Sequence, residues 1–174
     1  MASSVTTLYD FATELLAEAV TALDTTAARA PASQFVSYAL PSLDCPEQLT
    51  VDVRSLGHDA NRPTSPGMSR GHLTQYGHVT NLAMFVVTIT RCVPVVDGLS
   101  GALPPSSEIQ AAAGVILEDG WAFWNHVSGI IKAGTLWGGR CTTIYRDPGV
   151  PVQGQGGSAG WAFPMRPVID GYRP

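Results

Sequence analysis

The stretch that decides the fold is Val79-Thr-Asn-Leu-Ala-Met-Phe-Val-Val-Thr-Ile-Thr-Arg-Cys-Val93. It is rich in β-branched and aromatic residues and apolar on both faces through its centre, and Pro94 closes it. That pattern predicts a long central strand covered on both sides, because a strand with a wet face alternates polar and apolar residues instead. Upstream, Leu49, Val51 and Val53 alternate with Thr50, Asp52 and Arg54, which predicts a half-buried strand whose second face is solvated. Gln34 to Leu40, with Val36, Tyr38 and Leu40 in alternation, predicts a shorter strand ended by Pro41. Downstream, Arg140 to Tyr145 and Gly160 to Ile169 predict two more strands. Pro164 and Pro167 place the last of these at an edge or a bulge, since proline gives no donor to a ladder.

Two helical segments flank these strands. From Ser4 to about Ala28, Leu8, Ala12, Leu15, Leu16, Ala19 and Leu23 recur at three- and four-residue steps until Pro31. The second begins after Pro104-Pro105-Ser106. Its apolar face runs through Ile109, Ala112, Ala113, Ile116, Phe123, Val127 and Ile130 to about Lys132, and Gly134 ends it. Trp121 and Trp124 read as helix–sheet packing. The order helix, two strands, long loop, strand, helix, two strands predicts an α+β fold: a mainly antiparallel sheet of about five strands, with two helices packed on one face. The whole chain, 1–174, reads as one domain with a long loop at 57–78, a segment too long for an idle connection. A flexible connector is expected at 147–157.

Composition narrows the function. Only 14% of the 174 residues are charged, against roughly 25% in an average soluble domain. So few charges leave a monomer short of polar surface, which points to surface covered by other subunits. The net charge of −4 gives no basic footprint for nucleic acid. Residues 1–60 hold 8 acidic and 2 basic side chains, while the remainder hold 6 and 8. Residues 1–20 carry no basic residue of a secretory signal, and the apolar run Leu82–Val87 is too short to span a bilayer. Cys45, Cys92 and Cys141 are odd in number and widely spaced, so three reduced thiols are expected.

Candidate chemistry is thin. Gly156-Gly-Ser158-Ala-Gly160 has the letters of a nucleophile elbow, but a strand follows where a helix is required, and no His lies downstream. Gly154-x-Gly156-x-x-Ala159 likewise has no helix to meet a pyrophosphate. His58, His72 and His78, with Asp59 nearby, lack metal-ligand spacing and read as solvated loop residues. His126 reads as packed or superficial. Glu118 and Asp119 are adjacent, so they face different ways and form no acid/base pair. No catalytic residue, cofactor or metal is expected.

In element order and in several segments the chain resembles the tail terminator (tail completion) proteins of long-tailed, non-contractile phages, particularly those infecting actinobacteria. The resemblance lies in the opening helix and in Asp44-Cys45-Pro-Glu-Gln-Leu49-Thr-Val51 leading into a strand. It continues in the strand end Arg91-Cys92-Val-Pro94, in the proline-rich start of a helix carrying Leu117-Glu-Asp119-Gly-Trp121, and in Gly156-Gly157-Ser-Ala159-Gly160-Trp161. It implies a virion protein assembled in the host cytoplasm, forming a homohexameric ring on the tail tube protein. The ring would end tube growth and meet a head/neck connector or stopper protein, with DNA passing through without sequence-specific binding and no membrane involved. Another head–tail connector or tube protein, or a non-viral oligomeric binding module, is the alternative. Arg62, Met68, Arg70, His72 and Tyr76 on the long loop, with Gln153 and Gln155 on the glycine-rich connector, are the candidate subunit or tube contacts. The acidic first third is the candidate channel lining.

Overall fold

The structure, a computed structural model, describes residues 8–38, 47–58, 81–96, 98–153 and 157–169. Helix α1 spans Leu8–Leu23 and α2 spans Ser106–Lys132. The strands are β1 (Ser33–Ser37), β2 (Gln48–His58), β3 (Asn81–Cys92), β4 (Cys141–Arg146), β5 (Val150–Gln153) and β6 (Ser158–Ile169). The sheet runs β1-β2-β3-β6-β4, and β5 joins β6 beside β4. Among the described residues only the β1–β2 pair is parallel. The fold is therefore α+β, with six strands where five were expected. The extra one, β5, lies in the segment read as a flexible connector.

Both helices cover one face. Leu49, Val51 and Val53 of β2, Phe85, Val87 and Ile89 of β3, and Phe163 and Met165 of β6 form a single core with Phe11, Leu15 and Leu23 of α1 and Phe123 and Val127 of α2. The opposite face is not the wet face that alternation predicted. Thr50, Asp52, Thr88 and Thr90 on it are buried, with Asp52 at 0% exposure, and of the three alternating β2 residues Arg54 alone reaches solvent.

Helix α1 ends five residues short of expectation because the Thr25 and Thr26 hydroxyls donate to the carbonyls of Ala22 and Leu23, competing with continued helix. Helix α2 closes as expected: Gly134 adopts φ +68°, while the Gly134 and Thr135 amides donate to Ile131 and Ile130. The next turn, Leu136–Gly139, drives Trp137 into the core at 0% exposure. Its indole N–H donates to Phe11 O at 2.9 Å, and its backbone N–H donates to Glu14 Oε1 at 2.7 Å.

Strand β6 is interior, which excludes the edge and leaves the irregularity among the two places its prolines allowed. Pro164 lies between the part of β6 paired with β5 (159–162) and the part paired with β4 (165–169). Its carbonyl there accepts from Asp147 N, so the missing donor faces a gap. Pro167 falls where the β3 ladder lapses, between Leu82↔Val168 and Phe85↔Met165. Each proline thus sits where its ladder needs no N–H.

The expectation of three reduced cysteines also fails: Cys92 is disulfide-bonded, whereas Cys141 is in no disulfide. The β2–β3 register sets Gln48 opposite Thr90, two residues before Cys92. Cys45 lies outside the described residues.

Candidate subunit-contact surface

Helix α2 has two halves with different surroundings. From Ile116 onward it is fastened to the sheet. Asp119, 1% exposed, accepts from Arg91 Nε at 2.7 Å and from Arg91 Nη2 at 3.2 Å. Arg91 also donates to Glu47 Oε2 at 2.9 Å and to the Arg29 carbonyl. The Thr26 hydroxyl, whose proton goes to the Leu23 carbonyl, lies 3.4 Å from Asp119 Oδ1. One guanidinium at the end of β3 thus gathers the α1–β1 link, the start of β2 and the middle of α2. Burial works against its charge, but the bonds to Asp119 and Glu47 outweigh that and raise its pKa. One turn away, the Trp161 indole donates to Ile116 O at 2.9 Å. Asp119 and Glu118 diverge as their adjacency required: Asp119 is buried and Glu118 exposed.

Upstream of Ile116 the helix has few such ties. Residues 106–111 are exposed, as are Ala113 and Gly114. Ten residues at 1.5 Å each project roughly 15 Å. Ile109 is 49% exposed, Leu117 62% and Trp121 69%, an i, i+8, i+12 stripe with Ala113 between them. Leading into the helix, Leu103 is 80% exposed and Leu99 fully exposed. The sequence reading placed Ile109, Ala113 and Trp121 inside. The same 3.6-residue periodicity describes a helix face buried in its own subunit and one offered to another.

Beneath Trp121 lies an apolar trough of about 300 Å³, walled by Leu117, Trp121, Trp124, Trp161, Phe163 and Pro148. Its floor requires two glycines. A Cβ on Gly120 would lie 2.6 Å from the Trp161 indole nitrogen, and one on Gly149 would lie 2.4 Å from the Phe163 ring. Trp161 stacks on Phe163 at 6.1 Å, and Trp124 flanks the same ring at 6.4 Å with the Arg146 guanidinium 4.5 Å above it.

Of the sequence-predicted contacts, Gln153 stands exposed at the end of β5. Arg62, Met68, Arg70, His72, Tyr76 and Gln155 lie outside the described residues, as does the long loop from residue 59 to 80. Residues 57 and 58, assigned to that loop, belong to β2 instead. The acidic first third is largely engaged within the subunit. Glu14 pairs with Arg140, Glu18 with His126 at 2.7 Å and Glu47 with Arg91, while Asp52 is buried. Ser158 opens β6 opposite Cys92, and a strand follows it. Among the described residues no three His, Cys, Asp or Glu gather as metal ligands, and no helix is long and apolar enough to cross a membrane. Compared with known proteins, the chain matches no family model and no curated relative.

Proposed function

We propose that this protein is a structural subunit that assembles with copies of itself into a ring on a phage tail tube, ending tube growth and joining tail to head. One observation carries the assembly part: an exposed Ile109–Leu117–Trp121 stripe that runs from the loosely tied first half of α2 onto its anchored half, on a chain with only 24 charged residues. A surface of that kind is costly to leave in water and marks a protein–protein contact. The assignment to a tail, and to terminator rather than tube or connector, rests on the sequence resemblance set out above. In this reading the role is architectural rather than catalytic, the protein works in the virion, and its partners are the tube protein on one side and a neck protein on the other.

The test is assembly in vitro, with purified full-length chain added to tail tubes polymerising from tube protein and the products viewed by electron microscopy. Single rings at tube ends and a fall in mean tube length support the proposal. Long tubes built from this chain alone would make it a tube protein. Tubes of unchanged length with bare ends would overturn the tail reading.

A further inference from the structure

The trough and the segment leading into α2 are complementary halves of one contact. The trough is aromatic on three sides, with Trp121 and Leu117 standing open at its rim. The segment from Leu99 to Pro105 supplies two exposed leucines and a proline pair, and Pro105 has φ −57° and ψ 140°. Those are close to polyproline II dihedrals. The proline pair presets an extended backbone on the approach to α2, past the turn at Gly101 (φ +67°), and aromatic-lined grooves bind such proline-fixed stretches with little loss of entropy.

The two halves do not meet within one subunit. Pro105 and Trp121 are separated by sixteen residues of rigid helix, roughly 24 Å. The full exposure of Leu99 and the 80% exposure of Leu103 show that neither is seated in its own trough. We propose that the Leu99–Pro105 segment of one copy seats in the Trp121–Trp124–Trp161 trough of a second copy, repeated head to tail. This deepens the ring reading above and rests on it for closure: a heterologous contact gives a ring if its rotation closes and a filament if it does not.

Area sets its strength. From their exposures, Trp121, Leu117, Leu99 and Leu103 offer roughly 450 Å² of apolar surface. A stable complex buries about 1,600 Å². Two subunits joined by this contact alone therefore separate readily, and it persists where each subunit makes two such contacts in a closed ring.

The experiment is sedimentation velocity on the full-length protein, on L103E, on W121A, and on an equimolar mixture of the two variants. Unchanged circular dichroism melting of both variants is the folding control. Each variant alone should raise the self-association midpoint at least tenfold. Loaded well above the wild-type midpoint, where even one weak contact is populated, the mixture should recover dimers but nothing larger, because one intact contact remains, between the arm of W121A and the trough of L103E. In parallel, L103C/L117C in a C141S background should give an intermolecular disulfide ladder on oxidation.

Variants that associate like wild type, a mixture as monomeric as its components, or crosslinks confined to single chains would each overturn the proposal. So would a wild type that neither associates nor crosslinks. A head-to-tail contact in a protein that ignores tail tubes would leave this inference standing and sink the tail reading. Tube capping untouched by L103E and W121A would do the reverse.

Discussion

Removing either partner of the Arg91–Asp119 pair should destabilise the protein severely, and by different amounts. Both side chains are almost wholly buried, at 4% and 1% exposure. Deleting one partner of a buried ion pair leaves the other charged in a poor solvent, at about 3–5 kcal/mol. Asp119→Ala leaves Arg91 with Glu47, which is 43% exposed, and with the Arg29 carbonyl, so its cost belongs near the lower end, about 3 kcal/mol. Arg91→Met leaves Asp119 with only the Thr26 hydroxyl at 3.4 Å, so its cost belongs near the upper end, about 5 kcal/mol. At about 2–4 °C per kcal/mol for a chain of this size, melting falls by roughly 6–12 °C and 10–20 °C. The double variant Arg91→Met/Asp119→Leu removes both charges and should recover most of the loss, to within about 2 kcal/mol of wild type. Urea titration followed by tryptophan fluorescence reads all three. The reasoning is refuted if Asp119→Ala costs under about 1 kcal/mol, if it costs more than Arg91→Met, or if the double variant's loss equals the sum of the singles.

Asp52 should behave in the opposite sense. Burial pushes its carboxyl above the usual 3.8, against the pull of the Arg54 charge and of a Ser37 hydrogen bond. Its proton is then held more tightly folded than unfolded, so the favourable contribution is complete below pH 3.8 and is lost as pH rises through the raised native value. Asp52→Asn should therefore raise stability by about 1 kcal/mol at pH 7 and leave it unchanged near pH 3, as read by melting at both pH values; a loss at pH 7 contradicts this. Gly160→Ala places a methyl 1.8 Å from the Ile89 carbonyl oxygen, so the β3–β6 ladder must part and soluble expression should collapse; a variant melting within a few degrees of wild type rules that out. Trp137→Ala should cost about 3–5 kcal/mol for the cavity, with no relief from φ +59° because alanine keeps the Cβ that opposes it. Trp137→Phe should lose less, near the value of the orphaned Phe11 carbonyl, in the same denaturation assay.

Much of this fold could be read from the chain because local pattern and tertiary role agreed. The two-sided apolar run around Val87 and Ile89 became the strand between β2 and β6, and Gly134 ended α2 where its left-handed conformation was needed. The failures share one cause: a residue type states a physical requirement without saying who meets it. Pro164 and Pro167 require a place without a ladder donor, and the sequence allowed an edge or a bulge. Gaps between β5 and β4, and opposite Ala83 and Met84, met the requirement inside the sheet. Thr50 and Asp52 are polar, and polarity predicted water where the fold placed them in burial. Ile109, Ala113 and Trp121 require cover, and periodicity assigned that cover to the subunit's own core. Arg91 and Asp119, 28 residues apart, carried no local signal of pairing.

The placement of that ion pair bears on assembly as well as on stability. Asp119 sits between the two halves of the proposed head-to-tail contact, with the Leu99–Pro105 segment at one end of α2 and the trough beside its middle. Through Arg91 the same carboxylate is referenced to Glu47 and to the Arg29 carbonyl, so the axis of α2 is fixed against the β1–β2 side of the sheet. In a heterologous assembly the angle between arm and trough is the rotation per subunit, and a small change in it alters the number of copies that close the ring or opens it into a filament. Hydrophobic packing alone tolerates sliding, whereas two charge-assisted bonds from one planar guanidinium do not. A buried pair is a poor route to stability, since apolar residues of similar volume serve as well. Its value here is angular. The double variant that restores stability should therefore fail to restore uniform rings, and a ring population as homogeneous as wild type would show that packing alone sets the angle.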